Sequence, residues 1–161
     1  MNSFEVIIYT DGASKGNPGP GGYGIVMEQV GSHYRKEFNE GFALTTNNRM
    51  ELMAVIVGLE QLKKTPTKVL VVSDSKYVVD AVNLKWVFGW EKKGFQGKKN
   101  PDLWKRFLQV YRKHDVQMQW IKGHNLHPQN ERCDALAVQA SLQPNLPKDL
   151  GYEIENKGMF S

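Results

Sequence analysis

The run Lys68-Val69-Leu70-Val71-Val72 constrains the fold more than any other stretch of the chain. Its apolar side chains follow one another without alternation, so neither face is left for water, which is the pattern of a strand covered on both sides. Such a strand sits inside a sheet with helices on its faces and is reached by crossover connections, which points to an α/β protein. The run ends at Ser73-Asp74-Ser75, and residues 75–83 read as a helix.

The neighbouring segments fill in the sheet. Residues 4–11 are β-branched and aromatic with no helical period and read as a strand. Residues 12–22 are rich in glycine and proline and read as a loop. Strands are expected near 23–29 and 33–43, joined by a tight turn at Gly31-Ser32. A helix is expected from Thr46 to about Lys64, stopping before Pro66. Met50, Met53, Ala54 and Val57 form one stripe of it, and Leu52, Val55, Ile56 and Leu59 widen that stripe until the helix is apolar nearly all round, hence buried on most sides. A short helix around Trp86 and Trp90 comes next, then a helix opened by Asn100-Pro101-Asp102. A strand over 116–121 and a last helix, capped by Asn130 and running to about Ser141, complete the order β-β-β-α-β-α-α-α-β-α. A meander feeding crossovers predicts a mixed sheet flanked by helices. One domain is expected over residues 1–161, with 143–161 a loosely attached tail.

No apolar run approaches the roughly 18 residues that span a bilayer. The N-terminus lacks the pattern of a secretory signal, and the single cysteine, Cys133, suits a reducing cytoplasm. The net charge is only +4, but residues 85–99 carry five lysines against Glu91 alone, a local excess that equals the charge of the whole chain. A basic block on a neutral body suits a polyanionic partner.

Four carboxylates stand out. Asp11 closes the first apolar run, Asp74 closes the run at 68–72, and Glu51 and Asp134 fall in the first turns of helices. Singly, each has an ordinary role: turn former, capping-box partner of Asn48, N-cap, or dipole partner. Together they differ, because strand ends and the helix starts that follow them gather at one edge of an open sheet. Converging carboxylates repel unless cations neutralise them, and an all-oxygen donor set favours Mg²⁺ or Mn²⁺ over Zn²⁺. His124, ten residues before Asp134 on a polar loop, has the pKa range to take up or pass a proton. His127, next to Pro128, reads as structural.

These segments closely resemble the bacterial type 1 ribonuclease H family. The resemblance rests on Tyr9-Thr10-Asp11-Gly12 with the glycine-rich 16–24, on Thr46-Asn47-Asn48-Arg49-Met50-Glu51-Leu52, on Ser73-Asp74-Ser75-Lys76-Tyr77, on Asp102-Leu103-Trp104, and on Lys122-Gly123-His124 through Asp134. It implies a five-stranded mixed sheet, three antiparallel strands then two parallel, flanked by helices. It implies an endonuclease that hydrolyses the RNA strand of RNA–DNA hybrids, leaving 5′-phosphate and 3′-hydroxyl ends. Asp11, Glu51, Asp74 and Asp134 then become ligands of two Mg²⁺ ions, with Mn²⁺ able to substitute, and His124 the proton-handling residue.

The RNA strand displays 2′-hydroxyls across a wide minor groove. The backbone of 12–17, with Gly12, Ser14, Asn17, Asn47 and Asn48, is expected to meet them. Thr46, Asn17 and Arg49 are expected to seat a DNA phosphate, and the lysine block, Lys92 and Lys93 included, with Trp86 and Trp90 to grip the DNA strand. Lys76 replaces the glutamine of many relatives, which trades a minor-groove bond for a phosphate contact, and Leu126 replaces a common glycine and stiffens the histidine loop. A monomer without an obligatory protein partner is expected. Two other readings stand beside the nuclease: a hybrid-binding module without catalysis, which could lose an acidic ligand, and a different metal nuclease of the same fold.

Overall fold

A computed structural model describes residues 3–158. The elements run β1 (Val6–Ser14), β2 (Gly19–Gln29), β3 (Arg35–Thr45), α1 (Asn47–Glu60), β4 (Lys68–Ser73), α2 (Lys76–Asn83), α3 (Trp86–Lys92), α4 (Pro101–Tyr111), β5 (Asp115–Trp120), α5 (Pro128–Ser141) and α6 (Leu150–Gly158). The sheet order is β3-β2-β1-β4-β5. β1–β2 and β2–β3 are antiparallel, while β1–β4 and β4–β5 are parallel. The mixed sheet expected from the sequence is therefore present. β1 lies at its centre, and Val69, Val71 and Val72 of β4 are buried as an inner strand requires.

α1 lies on one face of the sheet with α4 behind it, and its residues 49–56, 58 and 59 are all buried. It stops at Glu60, short of the expected Lys64. Pro66 excludes the helical conformation at the residue before it, and the chain needs the intervening residues to turn back to Lys68. There the backbone amide of Lys68 meets Glu5 Oε2 at 2.8 Å.

The glycine-rich segment differs most from expectation. Residues 12–14 belong to β1 and 19–22 to β2, leaving a connection of only four residues. These glycines let helices approach the sheet. A Cβ on Gly22, Gly24 or Gly41 would stand 2.5, 2.1 or 2.4 Å from the carbonyl oxygens of Ala137, Cys133 and Ala140 of α5. α5 thus beds directly on backbone, with its own small residues inward.

Two further expectations are corrected. α5 is capped by His127, whose Nδ1 accepts from the Asn130 amide at 3.2 Å, rather than by Asn130 itself. The segment after Pro144 is not a loose tail over its described length. Ala43 N donates to Pro147 O at 2.8 Å, Asp149 is buried against Arg49, and α6 follows. A buried ion pair holds this segment where apolar periodicity gives no sign of attachment. Residues 159–161 lie outside the described residues.

Candidate active site

Side chains alternate across β1. Ile8, Thr10 and Gly12 face α1, while Tyr9 and Asp11 face α5, where the Tyr9 ring meets His127 at 5.5 Å. Asp11 is paired with Gly24 on β2, so it is held by a ladder on a central strand. Its neighbour explains how Glu51 reaches it from the other face. A Cβ on Gly12 would fall 2.4 Å from the Glu51 amide nitrogen, so only glycine lets the first turns of α1 lie against β1. The Gly12 N–H then donates to Asp11 Oδ1 and to Glu51 Oε1, each at 2.9 Å. Asp74 follows β4 directly, and its backbone carbonyl accepts from Trp120 Nε1 at 3.0 Å.

Asp11, Glu51 and Asp74 each place a carboxylate oxygen within 4.8 Å of the others. Asp11 and Glu51 are buried and Asp74 half-buried. Burial pushes the Asp11 carboxyl up to about 7, with the Asp74 and Asp134 charges adding to the rise. Burial, and next the Asp11 charge, lifts Glu51 well above the usual carboxylate range, and burial also raises Asp74. Glu51 Oε2 is buried with no hydrogen-bond partner among the described residues. An orphaned oxygen among crowded carboxylates is the donor set a hard divalent cation takes.

Asp134 and His124 open onto the same cavity of about 330 Å³, with Ser14, Asn47 and Ser75. Asp134 lines this cavity but does not join the tight group of three. The His124 loop presses on Asp74, since a Cβ on Gly123 would fall 2.6 Å from Asp74 Oδ2. His124 and Leu126 both adopt positive φ, 54° and 58°, and Leu126 is almost fully exposed. An unpacked leucine in that region is strained where glycine is not, so it narrows the loop's conformations.

A shelf of amides adjoins the carboxylates. Ser14 N donates to Asn47 Oδ1 at 2.7 Å, and Asn47 N donates to Asn17 Oδ1 at 3.1 Å. Both amide oxygens are thereby engaged, which leaves both NH₂ groups as donors on an exposed edge. Lys76 is exposed with Nζ 4.8 Å above the Trp120 ring.

On the far side of this shelf a second cavity, about 400 Å³, is bordered by Asn17, Thr46 and Asn48 on one wall and by Trp86, Trp90, Lys98 and Lys99 on the other. Trp86 is exposed, whereas Trp90 packs edge-on to Trp104 at 5.6 Å beneath Lys98. Lys92 and Lys93, at the end of α3, face solvent.

Arg49 is not in that cavity, contrary to the sequence expectation. Its guanidinium is 1% exposed, bonded to both oxygens of Asp149 and of Asp102, and bonded to Asn100 Oδ1. With its donors committed to protein acceptors it cannot reach a phosphate. Sequence reading also missed Trp120, Tyr77 and Asp149. The Asp102-Leu103-Trp104 motif marked the Arg49 network from one side, but Asp149 carried no mark.

Carboxylates with an unmet need for cation, beside an amide shelf and a lysine-bordered cavity, define a class: hydrolases that act on the phosphodiester backbone of nucleic acid. Known proteins agree in sequence and fold. The RNase H family model matches residues 3–142. The ribonuclease H of Trichodesmium erythraeum is 52% identical over 154 residues, covering 92% of this chain and 96% of the relative. That of Desulforamulus reducens is 53% identical over 154 residues, covering 92% and 95%. Among solved structures, LC9-RNase H1, a type 1 RNase H with the type 2 active-site motif, matches with a TM-score of 0.78 at 33% identity, covering 88% of this chain and 74% of that one. LC11-RNase H1 in complex with an RNA/DNA hybrid matches with a TM-score of 0.60 at 27% identity, covering 84% and 95%. The chain belongs to the ribonuclease H family of nucleases.

Proposed function

We propose that this enzyme cuts the RNA strand of RNA–DNA hybrids at the Asp11–Glu51–Asp74 cluster by a two-metal mechanism with Mg²⁺ or Mn²⁺, leaving 5′-phosphate and 3′-hydroxyl ends. The observation that carries the reading is the buried Glu51 Oε2, without a hydrogen-bond partner among the described residues, between two further carboxylates. A site built only to be stable would not leave it so. Asp11, Glu51 and Asp74 hold the ions, with Asp134 closing the set from α5. When bound, the ions supply an activated water and neutralise charge at the scissile phosphate.

The chain's own groups do the rest. The rigid central strand fixes Asp11, and the Gly12 N–H holds Glu51 against it. The free NH₂ groups of Asn17 and Asn47, with Ser14 and the backbone at Gly12, meet 2′-hydroxyls of the RNA strand. This selects RNA at the cluster, because DNA offers no such partner. Thr46, Asn48, Trp86, Lys92 and Lys93 seat the DNA strand, and Lys76 approaches a phosphate near Asp74. His124, exposed at the mouth of the cavity, holds or passes a proton as product leaves. On this reading the chain works in the cytoplasm as a monomer. Among the described residues no helix is long and apolar enough to cross a membrane.

Incubation with labelled RNA–DNA, RNA–RNA and DNA–DNA duplexes, with and without Mg²⁺, tests the proposal. Metal-dependent cutting of only the hybrid's RNA strand is expected, and metal-independent cutting or cutting of RNA–RNA would overturn it.

A further inference from the structure

Trp120 ends β5, an edge strand, and its ring stays 41% exposed beside the carboxylate cluster. An indole N–H can only donate, and this one reaches the Asp74 carbonyl at 3.0 Å. Asp74 belongs to neither β4 nor α2, because the parallel ladder ends at Ser73 opposite Trp120 and α2 begins at Lys76. Ile121 N still donates to Ser73 O at 3.0 Å, but the next carbonyl, that of Asp74, lies past the ladder. The indole bond therefore fixes a peptide that neither ladder nor helix holds, and with it the backbone from which the Asp74 carboxylate projects. Gly123 closes on Asp74 Oδ2 as well, where a Cβ would stand at 2.6 Å.

Lys76 is the second half of the arrangement. Asn83 of α2 donates to the Met118 carbonyl of β5 at 3.0 Å, and Lys76, two helical turns earlier, places its Nζ 4.8 Å above the Trp120 ring. Lys76 stands two residues from Asp74. A free ammonium there would meet the same need for positive charge that a divalent cation meets. Among the described residues, however, Lys76 joins no ion pair with a carboxylate. Its charge lies over the indole face, where the ring quadrupole attracts it.

We propose that Trp120 is a positioning residue for the metal cluster, its N–H locking the Asp74 backbone and its ring holding the Lys76 ammonium out of the carboxylates. The proposal rests on reading Asp11, Glu51 and Asp74 as the ion-binding set. A glutamine at position 76 would carry no competing charge, so the lysine of this chain is what gives the ring its second task.

The test titrates the metal-free, full-length protein with Mn²⁺ alone and follows the free ion by electron paramagnetic resonance. Wild type, Asp11→Asn, Trp120→Phe, Trp120→Leu, Lys76→Gln and the double variant Trp120→Leu/Lys76→Gln are compared. Trp120→Phe keeps the ring and loses the N–H, so its Mn²⁺ dissociation constant should rise about three- to tenfold. Trp120→Leu loses both and should weaken binding about a further two- to fivefold. The double variant should return to the level of Trp120→Phe, while Lys76→Gln alone should stay within about twofold of wild type. In the metal-free wild type the Trp120 indole proton should exchange with solvent more slowly than that of the exposed Trp86. The Mn²⁺ concentration for half-maximal hybrid cleavage should rise in the same order, with the rate recovering at saturating metal. A tryptophan that served only packing would shift the unfolding midpoint without this pattern.

No Mn²⁺ bound by wild type, or undiminished binding by Asp11→Asn, overturns the reading of the cluster and the proposal with it. Wild-type binding that Trp120→Phe and Trp120→Leu both match overturns the role of Trp120 alone. A double variant as weak as Trp120→Leu overturns the task given to the ring. Should Trp120→Leu not fold, wild-type affinity in Trp120→Phe overturns the proposal.

Discussion

Asp11→Asn should make the metal-free protein more stable while removing its activity. The Asp11 carboxyl is raised from 3.8 to about 7 by burial and by its acidic neighbours. A carboxyl whose folded pKa lies above its unfolded one binds protons more tightly in the native state. Its contribution to stability is therefore complete below about pH 4 and is lost as pH rises through 7. Fully ionised, above pH 7, the group costs the fold on the order of 4 kcal/mol relative to the protonated form. Asparagine stays neutral, its Oδ1 can keep the Gly12 N–H, and its NH₂ can serve the partnerless Glu51 Oε2.

The assay is denaturant and thermal unfolding in EDTA at pH 5 and pH 8. The variant should gain about 1–3 kcal/mol over wild type at pH 8, or several degrees in Tm, with the gain shrinking towards pH 5. Added Mg²⁺ should raise the wild-type Tm more than the variant's, because binding to the native state stabilises it. Hybrid cleavage should fall to background while hybrid binding stays within about threefold of wild type. A variant no more stable than wild type at pH 8 without metal, with the same pH slope, would refute the repulsion argument. Retained turnover would refute the role of Asp11 as a ligand.

Gly12→Ala places a methyl about 2.4 Å from α1 backbone that cannot step aside, so β1 and α1 must part; the expected cost is about 1–3 kcal/mol in unfolding and up to about a hundredfold in single-turnover rate, and wild-type values for both would contradict the packing described. Arg49→Met strands Asp149 and Asp102, one of them buried, and should lower stability by about 3–5 kcal/mol in urea melts; an unchanged melt would contradict the ion network described. Replacing Lys92, Lys93, Lys98 and Lys99 by glutamine should raise KM and reduce its salt dependence, by about 0.9 in log–log slope for each phosphate that is no longer neutralised, with kcat nearly unchanged; a fall in kcat at constant KM would give these lysines a different role.

Much of the site was legible because its parts are local. Asp11 and Asp74 each end or follow an apolar run, and sheet topology brings the ends of parallel neighbours together, as the pairing of Thr10 with Ser73 shows. Glu51 stood out as an acid inside a helix apolar nearly all round, and its burial is the reason for its altered ionisation. The glycine-rich segment misled because glycine and proline mark turns in most sequences. Here Gly22, Gly24 and Gly41 are notches for α5, and the matching sign was the small residues Cys133, Ala137 and Ala140 at helical spacing. Arg49 misled for a different reason. An arginine inside the Thr46–Leu52 motif reads as a phosphate ligand until Asp149, a hundred residues away, is found against it.

The amino-acid sequence by itself determined the mixed sheet, the order of its elements, the acids that close the central strands and the basic block at 85–99. These follow from periodicity, turn chemistry and the cost of leaving an acid in an apolar setting, all of which act over a few residues. Only the tertiary structure decided which acids touch, that Arg49 is sealed inside an ion network, and that the segment after Pro144 is tied into that network through Asp149. Those outcomes depend on donors and acceptors far apart in the chain, where no local pattern records which pairs will meet.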